Sequence, residues 1–302
     1  MNYIADFYNK YDIVNVINEN GTDEYTTRVY KVRNKQTGEQ SIAKYTTVYD
    51  NDDMGQRRLK FSGLNTLVNQ LKQEPRALMM LKDVRGVIDL LDYYEEFTSC
   101  IEMILVMEEA AGISLKDYIE QQGTFTARCF YSFMYHLISI VSAMHQKGII
   151  HRDLSYNNIF IDINSDTGDI KGIHLIDFGL VYIKGFGIRH KLAMTPGFAP
   201  PESVRHVIKR VEPMYDLYSV GVIMYYVLNK RFPYPDYIMN NRTDENNYIE
   251  FDCEGISIEV KQFIRKCLRY NSIDRPRSIA EIKTAVYKGL EREGISIAAN
   301  GN

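Results

Sequence analysis

In the stretch Ile149 to Ile161, IIHRDLSYNNIFI, a carboxylate, Asp153, stands five residues ahead of an amide, Asn158, and a second carboxylate, Asp177, follows nineteen residues after Asn158 in LIDFG. A carboxylate within hydrogen-bond reach of a hydroxyl can accept its proton or orient it. Asp and Asn oxygens suit Mg²⁺, a hard cation that usually takes only one or two carboxylates from protein. Lys44 of SIAK, on a strand-like run, adds a positive charge. Each signal is weak alone, because a strand lysine is usually solvated and an Asp-Phe-Gly tripeptide is common by chance. Their order along one chain gives them weight.

Such residues must be held by two kinds of structure. YDIVNVI, RVYKVRN and EQSIAKYTT are β-branched or alternating runs, and Asn34 to Gly38 is a turn between the last two. Leu64, Leu67, Val68 and Leu71 recur at helical spacing, Glu74 falls in a predicted helix, and MILVMEE returns to strand. From Gly112 onward the pattern is mainly helical, with Phe130, Phe133, Leu137, Ile140, Val141 and Met144 along one stripe of a long helix that ends before Gly148. Two short strands joined through NSDTGD come next, then the loop Gly179 to Pro201 and further helices. The pattern predicts an α+β protein, a smaller strand-rich lobe followed by a larger helical one. Residues after about Gly294 read as a loose tail.

Composition narrows the class further. With 302 residues and 45% apolar content the chain can bury a large core, and a net charge of −3 gives no basic surplus for nucleic acid or an anionic membrane. Cys100, Cys129, Cys253 and Cys267 form no C-x-x-C pair, which argues against a zinc site or a disulfide framework. The start, MNYIADFYNKYD, lacks the order of a signal peptide, and no run approaches the length of a membrane span, so a cytoplasmic location is expected.

HRD with its Asn, LIDFG, TPGFAPPE, YDLYSVG and SIDRPRS, in this order, resemble the eukaryotic-type protein kinase superfamily in its serine/threonine form. The resemblance implies a two-lobed fold, a small antiparallel sheet lobe with one helix and a larger helical lobe. Residues 1–107 would form the N-terminal lobe, 108–111 the hinge, 112–290 the C-terminal lobe and 291–302 a tail. It further implies that Lys44 grips the ATP phosphates with Glu74 as its ion-pair partner, that Asp153 handles the acceptor hydroxyl, and that Asn158 and Asp177 hold Mg²⁺. Gly21, Val29, Ala43, Met107, Glu108, Ala110 and Phe160 would surround the nucleotide, the last two of the hinge set through backbone and Val29, Ala43 and Phe160 as apolar walls. His151, Arg152 and Phe178 belong to the catalytic and metal-binding loops, Thr195 would touch Asp153, Glu202 would pair with Arg275, and Asp216 would receive hydrogen bonds from the catalytic-loop backbone.

The chain departs from the family pattern in three places. Counted back from Val29, the three positions of the glycine-rich loop fall on Thr22, Glu24 and Thr27, with Gly21 the only glycine nearby. Glycine there lets the backbone approach phosphate, so the cradle is expected to be stiffer. Ser155 stands where most serine/threonine members carry a lysine, which neutralises charge on the transferring phosphate. Pro75 follows Glu74 directly and should kink or restart the helix. In addition, Tyr182 is the only hydroxyl between Phe178 and Met194, so activity without Ser/Thr phosphorylation of that loop is expected, with His190, Lys191 or an acidic neighbour settling Arg152.

The resemblance thus implies a Mg·ATP-dependent kinase acting on serine and threonine hydroxyls of protein substrates. Its alternative is a pseudokinase, a binding or scaffolding module with little catalysis. These motifs name neither the substrate nor the oligomeric state.

Overall fold

The β-branched runs near the start build one sheet, and the long amphipathic stripe further on builds the centre of a helical unit. The computed structural model describes residues 3–21, 25–49, 67–98, 100–164, 168–186, 195–204, 211–234 and 249–295. Leu64, Thr22, Glu24, His190, Lys191 and the tail beyond 295 lie outside these described residues. The fold divides into two compact units, the first running to Asp83 and including Ile88–Ala110, the second formed by Val84–Val87 with the chain from Ala111 onward.

In the first unit, helix α1 (Ile4–Lys10) leads into β1 (Tyr11–Gly21), β2 (Tyr25–Asn34), β3 (Gln40–Tyr49), helix α2 (Gln73–Leu81), β4 (Leu90–Phe97) and β5 (Cys100–Met107). The five strands form one antiparallel sheet in the order β1-β2-β3-β5-β4. The turn after β2 closes as its residues require, Gly38 donating its N–H to the Asn34 carbonyl with φ at 76°. One sheet face is sealed by α1: Ile4, Phe7 and Tyr11 pack with Val32, Ala43, Tyr94, Ile104 and Val106 into a single buried cluster. Burying a side chain such as Phe7 contributes about 1.5–3 kcal/mol.

Neither α1 nor β4 stands out in the sequence. Helix α1 has only seven residues, too few for a periodic stripe to declare itself. In β4 only Tyr94 is buried, and its acids are taken up by partners rather than by solvent, since Asp92 accepts from both Lys10 and Tyr11.

The second unit contains β6 (Ile113–Ser114), α3 (Leu115–Gln122), α4 (Ala127–Gln146), β7 (Ile149–Ile150), β8 (Ile159–Ile163), β9 (Ile170–Leu175), β10 (Tyr182–Ile183), α5 (Pro201–Val204), α6 (Met214–Asn229), α7 (Ile258–Cys267) and α8 (Lys283–Arg292). Thr126 caps α4 by accepting from the Cys129 N–H, and the predicted stripe from Phe130 to Met144 is buried. Helix α6 is buried on almost every side, from Tyr215 to Leu228, which marks it as the central helix of this unit. Strands β6, β8 and β9 form a small sheet and β7 pairs with β10, so the loop between β7 and β8 is anchored at both ends. Gly112 enters this unit with φ at 85°, and a Cβ there would lie 1.9 Å from the Ile161 carbonyl oxygen. No helix among the described residues is long and apolar enough to cross a membrane.

Candidate active site

Lys44 lies in β3 and extends to Glu74 of α2, with Nζ 2.9 and 3.0 Å from the two carboxylate oxygens. Glu74 is 5% exposed, so this pair is well shielded. Pro75 does not prevent it. A helical stretch over residues 67–71 ends in a turn at Lys72, and α2 restarts at Gln73, two residues before the proline. Pro75 therefore sits in the first turn, where a missing N–H forfeits no intrahelical bond.

Strand alternation sorts the residues around Lys44 into two faces. Val29 and Leu105 are its direct partners across β2 and β5, and Ile42, two residues earlier, is opposite Met107. Val29, Ile42, Lys44, Leu105 and Met107 therefore share a face. Ala43 does not. It lies on the opposite face with Phe7 and Val106 and is completely buried under α1, so the expectation that it walls the nucleotide alongside Val29 is corrected. The residue beside Met107 on the lysine face is Ile42. Gly21 ends β1 opposite Thr26, Thr27 shares a 3.0 Å hydroxyl contact with Thr46, and the Glu108 N–H donates to the Asp89 carbonyl, with Ala110 closing this unit.

In the second unit, the β7–β8 loop gathers Asp153, Asn158 and Thr195. The Thr195 hydroxyl donates to Asp153 Oδ1 at 2.5 Å, and Asn158 Nδ2 donates to Asp153 Oδ2 at 3.0 Å and to the Asp153 carbonyl at 2.8 Å. One side chain thus has both carboxylate oxygens oriented. With its amide nitrogen engaged, Asn158 keeps its amide oxygen as the atom able to bind a cation. The Ile176 N–H donates to the Asn158 carbonyl, which ties this loop to the residue before Asp177. Asp177 has φ at 59°, a left-handed conformation that aspartate tolerates better than most residues, and its Oδ1 accepts from the Gly179 N–H. Phe178 is fully buried with its ring 4.8 Å from that of His151. Phe160 sits in β8 between buried Ile159 and Ile161, opposite Ser114.

Beneath this loop Asp216 acts as a fully buried anchor. Its carboxylate accepts from the backbone N–H groups of His151 at 2.9 Å and Arg152 at 2.8 Å, and lies 2.8 Å from His145 Nε2. Burial works to raise the Asp216 pKa, but the hydrogen bonds from His145 and from the Arg152 N–H help to outweigh it and hold the group below the ordinary carboxylate value. Arg152 adopts φ of 68°, strained for a residue with a side chain, and the Asp216 bond to its N–H helps fix that conformation. Burial keeps His151 below the usual imidazole range and therefore neutral, and its Nδ1 accepts from the Asp153 N–H. Sequence reasoning missed His145, whose partner lies 71 positions away.

The remaining predicted residues fall into separate places. Glu202 meets Arg275 in a two-pronged pair with both N–O distances at 2.7 Å. Tyr182 pairs with Ile150 across β10 and β7. Ser155 is fully buried and its Oγ has no hydrogen-bond partner among the described residues, so the hydroxyl does not face an exposed substrate position.

An antiparallel sheet unit with a Lys–Glu pair, and a helical unit whose Asp–Asn–Thr loop hangs from a buried aspartate, define a protein kinase fold. The sequence matches the protein kinase domain model over residues 21–287, and the chain belongs to that family. It is 33% identical over 166 residues to “Probable serine/threonine-protein kinase zyg-1” of Caenorhabditis briggsae, covering 54% of this chain and 22% of that protein. It is 30% identical over 214 residues to calcium-dependent protein kinase 7 of Oryza sativa subsp. japonica, covering 69% and 38%, and 28% identical over 264 residues to human death-associated protein kinase 2, covering 85% and 66%. The chain therefore spans well under half the length of the first two of these relatives.

Proposed function

We propose that this chain is an active enzyme that transfers the γ-phosphoryl group of Mg·ATP to serine or threonine hydroxyls of protein substrates. The observation that carries the reading is the fixing of Asp153 by Asn158 on one oxygen and Thr195 on the other. A carboxylate held this way is oriented before substrate arrives, as general-base or acceptor-positioning chemistry needs. In this reading Lys44, steadied by Glu74, holds the nucleotide phosphates. The donors suit magnesium: the Asn158 amide oxygen and the Asp177 carboxylate are hard oxygen ligands. When bound, the ion supplies charge neutralisation at the phosphates.

The relatives' names favour serine/threonine over tyrosine acceptors, in line with TPGFAPPE. Arg152 is 4% exposed and the nearby carboxylates of Asp216 and Asp153 favour its cation, which supports activity without Ser/Thr phosphorylation of the loop after Phe178. A pseudokinase is the second reading, favoured by one observation: buried Ser155 supplies no charge where the family usually has lysine. Incubating the purified chain with labelled Mg·ATP and a generic protein substrate, beside Lys44→Met and Asp177→Ala, separates the two. Incorporation that disappears in both variants and appears on serine or threonine is expected. No incorporation above the variants would establish the pseudokinase instead.

A further inference from the structure

Strand β1 is the edge of its sheet, with β2 on one side and no strand on the other among the described residues. Every residue after Tyr11 in this eleven-residue strand is exposed. Four of them are large and apolar: Ile13 at 42% exposure, Val14 at 44%, Val16 at 55% and Ile17 at 52%. Scattered apolar residues are normal at a surface, but four within five positions of an open strand edge are not. Edges are commonly blunted by lysine, proline, short length or bulges. Here there is no lysine or proline between Tyr11 and Gly21, and of those devices only bulges are present, at the register shifts that skip Val14 and Ile17. All of this precedes residue 21, where the match to the kinase domain begins.

The order of these residues points to an occupant. Ile13-Val14-Asn15-Val16-Ile17 reads identically in both directions. Two antiparallel copies related by a two-fold axis at Asn15 would set Ile13 opposite Ile17, Val14 opposite Val16, and Asn15 opposite itself. Such self-complementarity is what an isologous interface demands, each residue meeting its counterpart twice. Charge agrees with it. Asp12 falls opposite Asn18 and Glu19 opposite Tyr11, so no acid faces an acid, whereas parallel pairing in the same register would set Asp12 against Asp12. The pairing would cover the apolar patch and pair the edge groups that lie between the bulges at Val14 and Ile17.

We propose that β1 is a homodimerisation strand, joining two copies of this chain edge to edge across an axis at Asn15. The dimer stands whether or not the chain transfers phosphate. Light scattering at tens of micromolar protein should give about 70 kDa, twice the 35.1 kDa protomer. Val16→Lys should return the mass to one protomer while leaving the far-ultraviolet circular dichroism spectrum unchanged, because the side chain is exposed in the protomer. Asn15→Cys supplies a register test that does not depend on weakening anything. Directly opposed antiparallel residues lie about 4.5–5.5 Å apart at Cα, within disulfide range. That variant should form a reductant-sensitive covalent dimer on mild oxidation, and Asn18→Cys and the parent chain should not. A protomer mass at every concentration, a dimer that survives Val16→Lys, or equal cross-linking at positions 15 and 18 would each overturn the proposal, the first leaving the edge to a strand of different sequence.

Discussion

His145 Nε2 and Asp216 Oδ2 lie 2.8 Å apart, joining the last turn of α4 to the first turn of α6 directly below the loop between β7 and β8. The same carboxylate carries the N–H groups of His151 and Arg152, so a single buried anion sets the backbone that presents Asp153. Electrostatics and loop geometry are therefore linked at one residue.

Acid stability should report this link. Because the folded-state pKa of Asp216 is depressed, its contribution is complete above the ordinary aspartate value of 3.8 and is lost as pH falls below that toward the folded-state value. Asp216→Ala should cost about 3–5 kcal/mol near neutral pH, since it strands two buried N–H groups and a histidine. Urea unfolding followed from pH 7 downward should show the variant losing less further stability in acid than the parent. Parallel curves for the two proteins would show that Asp216 does not carry the effect.

The two faces of β3 make a separate prediction. Ala43→Leu overfills the cluster beneath α1 and should destabilise by about 1–3 kcal/mol without altering nucleotide affinity. Ile42→Ala, on the face of Lys44, should alter nucleotide affinity. Thermal melts and nucleotide titrations on both variants read the two effects apart, and a shift in affinity for Ala43→Leu would return that residue to the nucleotide.

This division explains what was legible beforehand. Asp153, Asn158, Asp177, Glu202 and Arg275 sit in short local patterns whose order alone suggested the family, and the stripe of α4 is long enough to show its period. Ala43 is expected from the motif to stand beside Val29 as an apolar wall, but neighbours in a strand point to opposite sides, and Val29 shares its face with Lys44 instead. Helix α1 is too short to show a period, and its hold on the sheet comes from contacts such as Lys10 to Asp92, 82 positions apart. His145 had no signal for the same reason. The effect of Pro75 depended on where the helix restarts, which local propensity does not fix to within a residue.

Ser155 yields a test in which nothing should be lost. Its hydroxyl is buried without a partner among the described residues, and burying such a group costs about 1–3 kcal/mol. Ser155→Ala removes that cost, so stability should stay level or rise by about 1 kcal/mol, and the rate of phosphate incorporation should be unchanged. A marked fall in rate would mean that this hydroxyl reaches the substrate during turnover.

Arg275 separates charge from shape. Its guanidinium, 3% exposed, makes two bonds to Glu202 and others to the carbonyls of Arg269, Tyr270 and Met214, and it lies over the Tyr218 ring. Lysine would preserve the charge but offers a compact ammonium that cannot span these directions. Several buried carbonyls and one prong of the pair would lose their donor, so Arg275→Lys should cost about 3–5 kcal/mol, nearly as much as Arg275→Ala. Glu202→Gln keeps one acceptor for the fork and should cost less than either. Chemical denaturation of the three variants would give that order if the bond geometry dominates. Full retention of stability in Arg275→Lys would instead mean that charge alone holds Glu202 against the end of the second unit.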